Sequence, residues 1–405
     1  MAEPTPSAAE EYEYLQTPAA IRERSGAIFA AAERGNLAYF RVHEAKLPSV
    51  AERVIDVTRR AYPDLRAIPY HGRYRHFDAG GVPRLARFEH SLAGLSDDDL
   101  LRARTELLIT SVLLDAGAGS NWQYREPDGR SYTRSEGLAV ASYHLFMSGA
   151  LASDHSSTAD GAGLSHFDVL HLESAFQVTS NNPLTGLAGR AGLLQRLGEV
   201  VQTTPRYFDR ERPRLGDLGV FLKRSAIDAR LPASTILAAV LGALGPIWPG
   251  REKLAGRPLG DVWRHSSFGL VPFHKLSQWL SYSLLEPLEA AGLVIDGVGE
   301  LTGLPEYRNG GLFLDAGVLE LCEPLAAKLE HEVWSDLVIE WRALTVILLD
   351  RLADVVRAKL GMSADELPLA RVLEGGTWSA GRALARELRA DGAPPLRIVS
   401  DGTVF

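Results

Sequence analysis

Residues 332–360 read EVWSDLVIEWRALTVILLDRLADVVRAKL. Trp334, Leu337, Val338, Trp341, Leu344, Leu348, Leu352 and Val355 keep a helical stripe, and Ile347, Leu349 and Val356 widen it. A surface helix carries one apolar stripe, so a helix this broadly apolar is buried on more than one side. The spacing predicts a central core helix from Glu332 to Leu360, and the rest of the chain has to pack around it.

Helix signals recur on either side of this segment. Thr17-Pro18 pairs an N-cap with proline at the first helical position, and Ile21, Ile28, Phe29 and Ala32 share a face before Gly35 ends the run. Ser49-Val50-Ala51-Glu52 and Thr133-Arg134-Ser135-Glu136 read as capping boxes, and Ser96 precedes three aspartates at the head of a leucine-rich helix. Asp168 completes a further cap signal, and Leu231-Pro232-Ala233 enters an Ala/Leu-rich helix. Strand signals are few. Leu396 to Phe405 is expected to form a short hairpin around Asp401-Gly402, and Arg308 to Leu314 a second turn around Asn309-Gly310. The expected architecture is mainly α, a compact helical domain over 15–405 with small β-hairpin additions, after a flexible lead-in over 1–14.

Composition narrows the function. The chain of 405 residues is 46% hydrophobic and 23% charged, the balance of a soluble globular protein. Its net charge of −8 argues against a broad nucleic-acid footprint. Cys322 is the only cysteine, which removes internal disulfides and cysteine-based metal clusters. No apolar run reaches the roughly 18 residues of a membrane span and no secretory leader is visible, so a cytoplasmic protein is expected. The phosphate-loop, dinucleotide, esterase-elbow and H-E-x-x-H signatures are all missing. His71 and His76, like His166 and His171, stand five apart, which sets the rings about 140° apart on a helix. No metal and no cofactor are expected.

Polar chemistry is concentrated in four places. Pro69 to Phe77 packs Arg73, Arg75, His71 and His76 among aromatics without amphipathic period, a composition suited either to phosphate or to surface carboxylates. Asn121-Trp122-Gln123-Tyr124 leads to the helix start at Glu136, where amide side chains and exposed N–H groups offer partners to a planar amide or an anion, although Glu136 also fits a capping role. Lys275, Gln278, Trp279 and Tyr282 lie at i, i+3, i+4 and i+7, apart from the Leu276, Leu280 and Leu284 face, so this stripe faces water or a polar cavity. Finally, Glu306 and Asp315 bracket the Tyr307-Arg308-Asn309-Gly310-Gly311 turn, which is expected to bring two carboxylates near each other.

The segments Tyr70 to Gly81, Arg134 to Leu138, Phe273 to Leu280 and Leu301 to Gly311 resemble the uracil-catabolism family of bacteria and fungi, the URC four and urg three type, formerly a domain of unknown function. The resemblance runs from about residue 15 to the end. It implies a pathway in which uracil is ribosylated, its ring opened and urea released, so that some enzyme cuts a ribosyl–urea bond. Phe273-His274-Lys275 with Gln278, followed by Glu306-Tyr307-Arg308, is also similar to the Lys-x-x-Gln helix and Asp-Tyr-Arg turn of queuosine-salvage nucleotide N-glycosylases. That similarity implies a DNA-glycosylase-like helical fold. The chain departs from it in having Glu306 for the aspartate and Tyr282 where a carboxylate stands seven residues after the lysine.

The expected activity is hydrolysis of the N-glycosidic bond of a ribosylurea-type nucleoside or nucleotide. Charge building at C1 of the sugar calls for a carboxylate, Glu306 first and Asp315 second, and the leaving nitrogen needs a proton, from Tyr282 or His274. Lys275, Arg73 and Arg75 are expected to hold a phosphate, and Asn121, Gln278 and Trp122 to read the ureido end, with His76, Tyr124, Glu136, Tyr307 and Arg308 completing the binding set. Two alternatives stand beside this: a metal-dependent ureido or amide hydrolase using His71 and His76, and a non-catalytic nucleotide-binding protein. Neither a nucleic acid nor a membrane partner is expected.

Overall fold

The computed structural model describes residues 7–119, 121–248 and 251–399, and the chain is mainly α with short strand pairs. It divides into two units. The first draws on residues up to 71, 251–278 and 297–399; the second on 72–248 and 279–296.

At the centre of the first unit lies the helix Asp336–Leu360. Leu337, Val338, Trp341, Leu344, Leu348, Leu349 and Leu352 are all buried, as the doubled stripe requires. The helices Pro18–Glu33, Leu47–Ala61 and Tyr307–Asp315 pack against it, and Gly361 ends it at φ +66°, where a side chain would be strained. It starts four residues later than expected. Ser335 is its N-cap, and the preceding Glu330–Glu332 is a strand, which leaves Trp334 exposed. That strand pairs in parallel with Arg397–Val399, and the hairpin expected around Asp401-Gly402 falls on Ser400 to Phe405, outside the described residues. The Asn309-Gly310 turn is likewise corrected: the segment is the helix Tyr307–Asp315. Glycines that suggest a turn serve here for close packing, since a Cβ on Gly310 would stand 2.7 Å from the Trp341 ring.

Thr17 caps Pro18–Glu33 through Ala20 N as expected, and Ser7 opens a further helix, Ala8–Leu15, within the stretch expected as a lead-in. Ser49 is not a cap. The helix Leu47–Ala61 begins before it, and its hydroxyl donates back to Lys46 O.

The second unit packs the helices Asp97–Leu113, Arg134–Met147, Leu187–Thr203, Asp217–Ser225 and Ala233–Leu244. Ser96 caps the first of these through Asp99 N. Glu106, fully buried on that helix, takes both Nε and Nη2 of Arg214 and the backbone N–H of Ala159 and Gly216. Thr133 precedes Arg134–Met147 without a side-chain cap, and Arg134 takes φ +57°, so the expected capping box is not formed. No helix among the described residues is long and apolar enough to cross a membrane.

Candidate functional site

The first unit gathers its polar side chains around one buried loop. Residues 301–305 are buried throughout, and the chain leaves them at Glu306 in an extended conformation to enter the helix Tyr307–Asp315. Such an exit makes Glu306 the N-cap. Its Oε1 accepts from Asn309 N at 2.6 Å and its Oε2 from Arg308 N at 2.7 Å. A carboxylate has about four lone-pair positions, so two remain for a ligand. Burial pushes the Glu306 carboxyl above the ordinary glutamate value, against the pull of those two N–H groups and of the Lys275 and Arg308 charges. The residue as a whole is half-buried.

Lys275 is set by Asp261, whose Oδ2 accepts from Lys275 N at 2.9 Å. The same carboxylate takes the Arg342 guanidinium at 2.8 Å on each oxygen and Trp263 Nε1 at 2.6 Å. Burial acts to raise Asp261, but Arg342 outweighs it and holds the carboxyl well below the usual range. Arg342 also reaches Pro305 O at 3.4 Å, so the residue before Glu306 and the first turn of the Lys275–Ala290 helix share one anchor.

Two buried amides pin the loop. Gln278 Oε1 accepts from Thr302 N at 3.3 Å, and Asn309 Nδ2 donates to Leu304 O at 3.1 Å. Arg308 donates to Gly392 O at 2.9 Å and lies over the Tyr307 ring, 5.0 Å from its centroid. In the first unit Glu306, Tyr307 and Arg308 thus follow directly on the loop that Gln278 pins, and Lys275 opens the helix that carries Gln278.

Other expected residues go elsewhere. Asp315 ends the Glu306 helix about 13 Å along its axis. Both its oxygens take the Arg389 fork, at 2.8 and 2.5 Å, so it is no second carboxylate beside the first. His274, at φ +47°, has Nε2 at 2.9 Å from Leu15 O; only a protonated Nε2 can make that bond, which spends the ring N–H on structure. Burial lowers its pKa.

In the second unit, Arg73 is fully buried. Its Nη1 meets Asp115 at 2.7 Å and Ser135 Oγ at 3.2 Å, its Nε meets Ser111 Oγ at 2.7 Å, and His76 Nδ1 stands 3.5 Å from Nη1. Arg75 is exposed and pairs with Glu286. Tyr282 is fully buried within this unit. Trp122 stacks on Phe176 and donates to its carbonyl at 3.0 Å, so its indole N–H is already committed. Tyr124 is buried against His144 and borders an open depression of about 620 Å³ with Glu126 and Gln177, while Asn121 and Glu136 lie at the surface. Back in the first unit, His71 pairs with Glu374 at 2.9 Å. Among the described residues no three His, Cys, Asp or Glu side chains form a metal-holding group.

A family model described as "Protein of unknown function (DUF1688)" matches residues 14–405. The chain belongs to the DUF1688 family. It is 40% identical over 397 residues to Protein urg3 of Schizosaccharomyces pombe, covering 95% of this chain and 96% of that one. It is 36% identical over 435 residues to Uracil catabolism protein 4 of Lachancea kluyveri, covering 97% and 98%. Asp261, Asn309 and Arg342 of this DUF1688 chain escaped the sequence reading. For Arg342 a signal was present, a cation inside the broadest apolar stripe of the chain, where burial demands a partner.

Proposed function

We propose that the chain acts in uracil catabolism by hydrolysing the N-glycosidic bond of a ribosylurea-type compound, releasing urea and ribose or its 5-phosphate. The observation that carries this reading is Glu306. It is a half-buried carboxylate fixed by two helix N–H groups, with Lys275 close enough for its charge to bear on it. The uracil-catabolism name of the Lachancea relative supports the pathway. As the C1–N bond breaks, positive charge grows on the sugar, and a carboxylate held in advance stabilises it without reorganising. Water then adds its oxygen to C1 and gives a proton to Glu306, which passes it to the departing nitrogen, so urea leaves neutral. Lys275 supplies the nearby cation for a phosphate. His274 and Asp315 are committed elsewhere, so in this reading Glu306 carries both the electrostatic and the proton-transfer role.

Incubation of the purified protein with ribosylurea and with its 5-phosphate, followed by assay of free urea, tests this. Urea from either supports the reading, and urea from neither overturns it.

A further inference from the structure

The two amides that pin the loop each leave one end unmet. Gln278 Nε2 and Asn309 Oδ1 find no hydrogen-bond partner among the described residues, although Gln278 is 0% and Asn309 1% exposed. The polarity of these ends is not a matter of how the amides are turned. The Gln278 end facing Thr302 N has to be its oxygen, and the Asn309 end facing Leu304 O has to be its nitrogen. What is left over is therefore a donor on Gln278 and an acceptor on Asn309. Their anchors are Thr302 N and Leu304 O, two residues apart on the same buried loop, which sets both amides against one short stretch of chain. They do not satisfy each other. A buried donor and a buried acceptor left open cost stability unless a ligand or a water meets them.

Resting on the reading of Glu306 above, we infer that Gln278 and Asn309 form the recognition site for the leaving group, a neutral ureide. Its carbonyl oxygen accepts from Gln278 Nε2 and its terminal N–H donates to Asn309 Oδ1. Neither side chain carries charge, so the site selects a neutral planar group with acceptor and donor in one plane, and it disfavours carboxylate or phosphate at that end. Specificity then comes from the unmet pair: an analogue lacking the N–H leaves Asn309 Oδ1 open, while one that offers it closes the site.

Calorimetric binding to Glu306→Gln protein, which keeps Gln278 and Asn309 unchanged, compares ribosylurea with its N′,N′-dimethyl derivative, which has no terminal N–H. The dimethyl compound is expected to bind about tenfold more weakly or worse. In a second protein that also carries Asn309→Leu, checked for folding by its melting temperature, the preference disappears. Gln278→Met weakens both ligands about equally. Equal binding of the two compounds to the first protein, or a preference that survives Asn309→Leu, overturns the inference and leaves the amides as loop pins bridged by water. Failure to bind ribosylurea overturns it as well. Urea release by the unaltered protein is scored separately: release without the preference rejects only this inference, and the preference without release rejects only the hydrolase reading.

Discussion

Glu306 serves its helix and its proposed chemistry with the same two oxygens. Glu306→Gln keeps a carbonyl for one of the two N–H groups, so the expected loss of stability is about 1 kcal/mol by chemical denaturation. Urea release, by contrast, is expected to fall at least ~100-fold, because the amide neither stabilises a cation nor takes a proton. The pH dependence follows from the raised carboxyl. The active form is the carboxylate, so kcat/KM is lost as pH falls through a pKa lying above the ordinary 4.5. Lys275 favours the charged form, and Lys275→Met moves that ascending limb to still higher pH. A limb at or below the ordinary value, unmoved by Lys275→Met, contradicts the assignment.

Secondary-structure elements carry the site through contacts that are local in space and remote in sequence. The Glu306 helix meets the central helix where Gly310 faces Trp341, and Gly310→Ala forces a Cβ to within 2.7 Å of that ring. About 1–3 kcal/mol of destabilisation is expected, read as a lowered melting temperature. In the second unit, Glu126 binds the fully buried Arg84 at 3.0 Å and His144 at 2.7 Å. Burial pushes its carboxyl up, yet these partners bring it down to about 2 from 4.5. A depressed carboxylate contributes stability that is full above the unfolded value and is lost as pH falls from 4.5 toward 2. Denaturation midpoints across that window are expected to decline less steeply in Glu126→Gln, which is already destabilised at neutral pH.

Periodicity made the central helix and the Thr17 and Ser96 caps legible, because burial and capping are local demands. Local signals misled where a competitor was at hand. Ser49 bonds back to Lys46 inside its helix, and the paired glycines after Asn309 pack against Trp341 instead of turning. The Lys275 and Gln278 spacing was readable on one helix. The Asp261–Arg342 fork spans 81 residues, and no pattern in a single sequence states that pairing.

On the scale of the whole molecule, the net charge of −8 and the small, neutral amide pair favour a small ligand over a polyanion. No mobility shift of single- or double-stranded oligonucleotides is expected at physiological salt, and a salt-dependent shift would argue for a different partner. The relatives align over nearly their full length, so both units lie within the shared region. The most direct test of the account is a side-by-side time course of urea release from ribosylurea 5-phosphate by the unaltered protein and by Glu306→Gln at matched folded concentration. The account predicts release by the first and at least a ~100-fold slower course with the second; equal rates from the two proteins would contradict it.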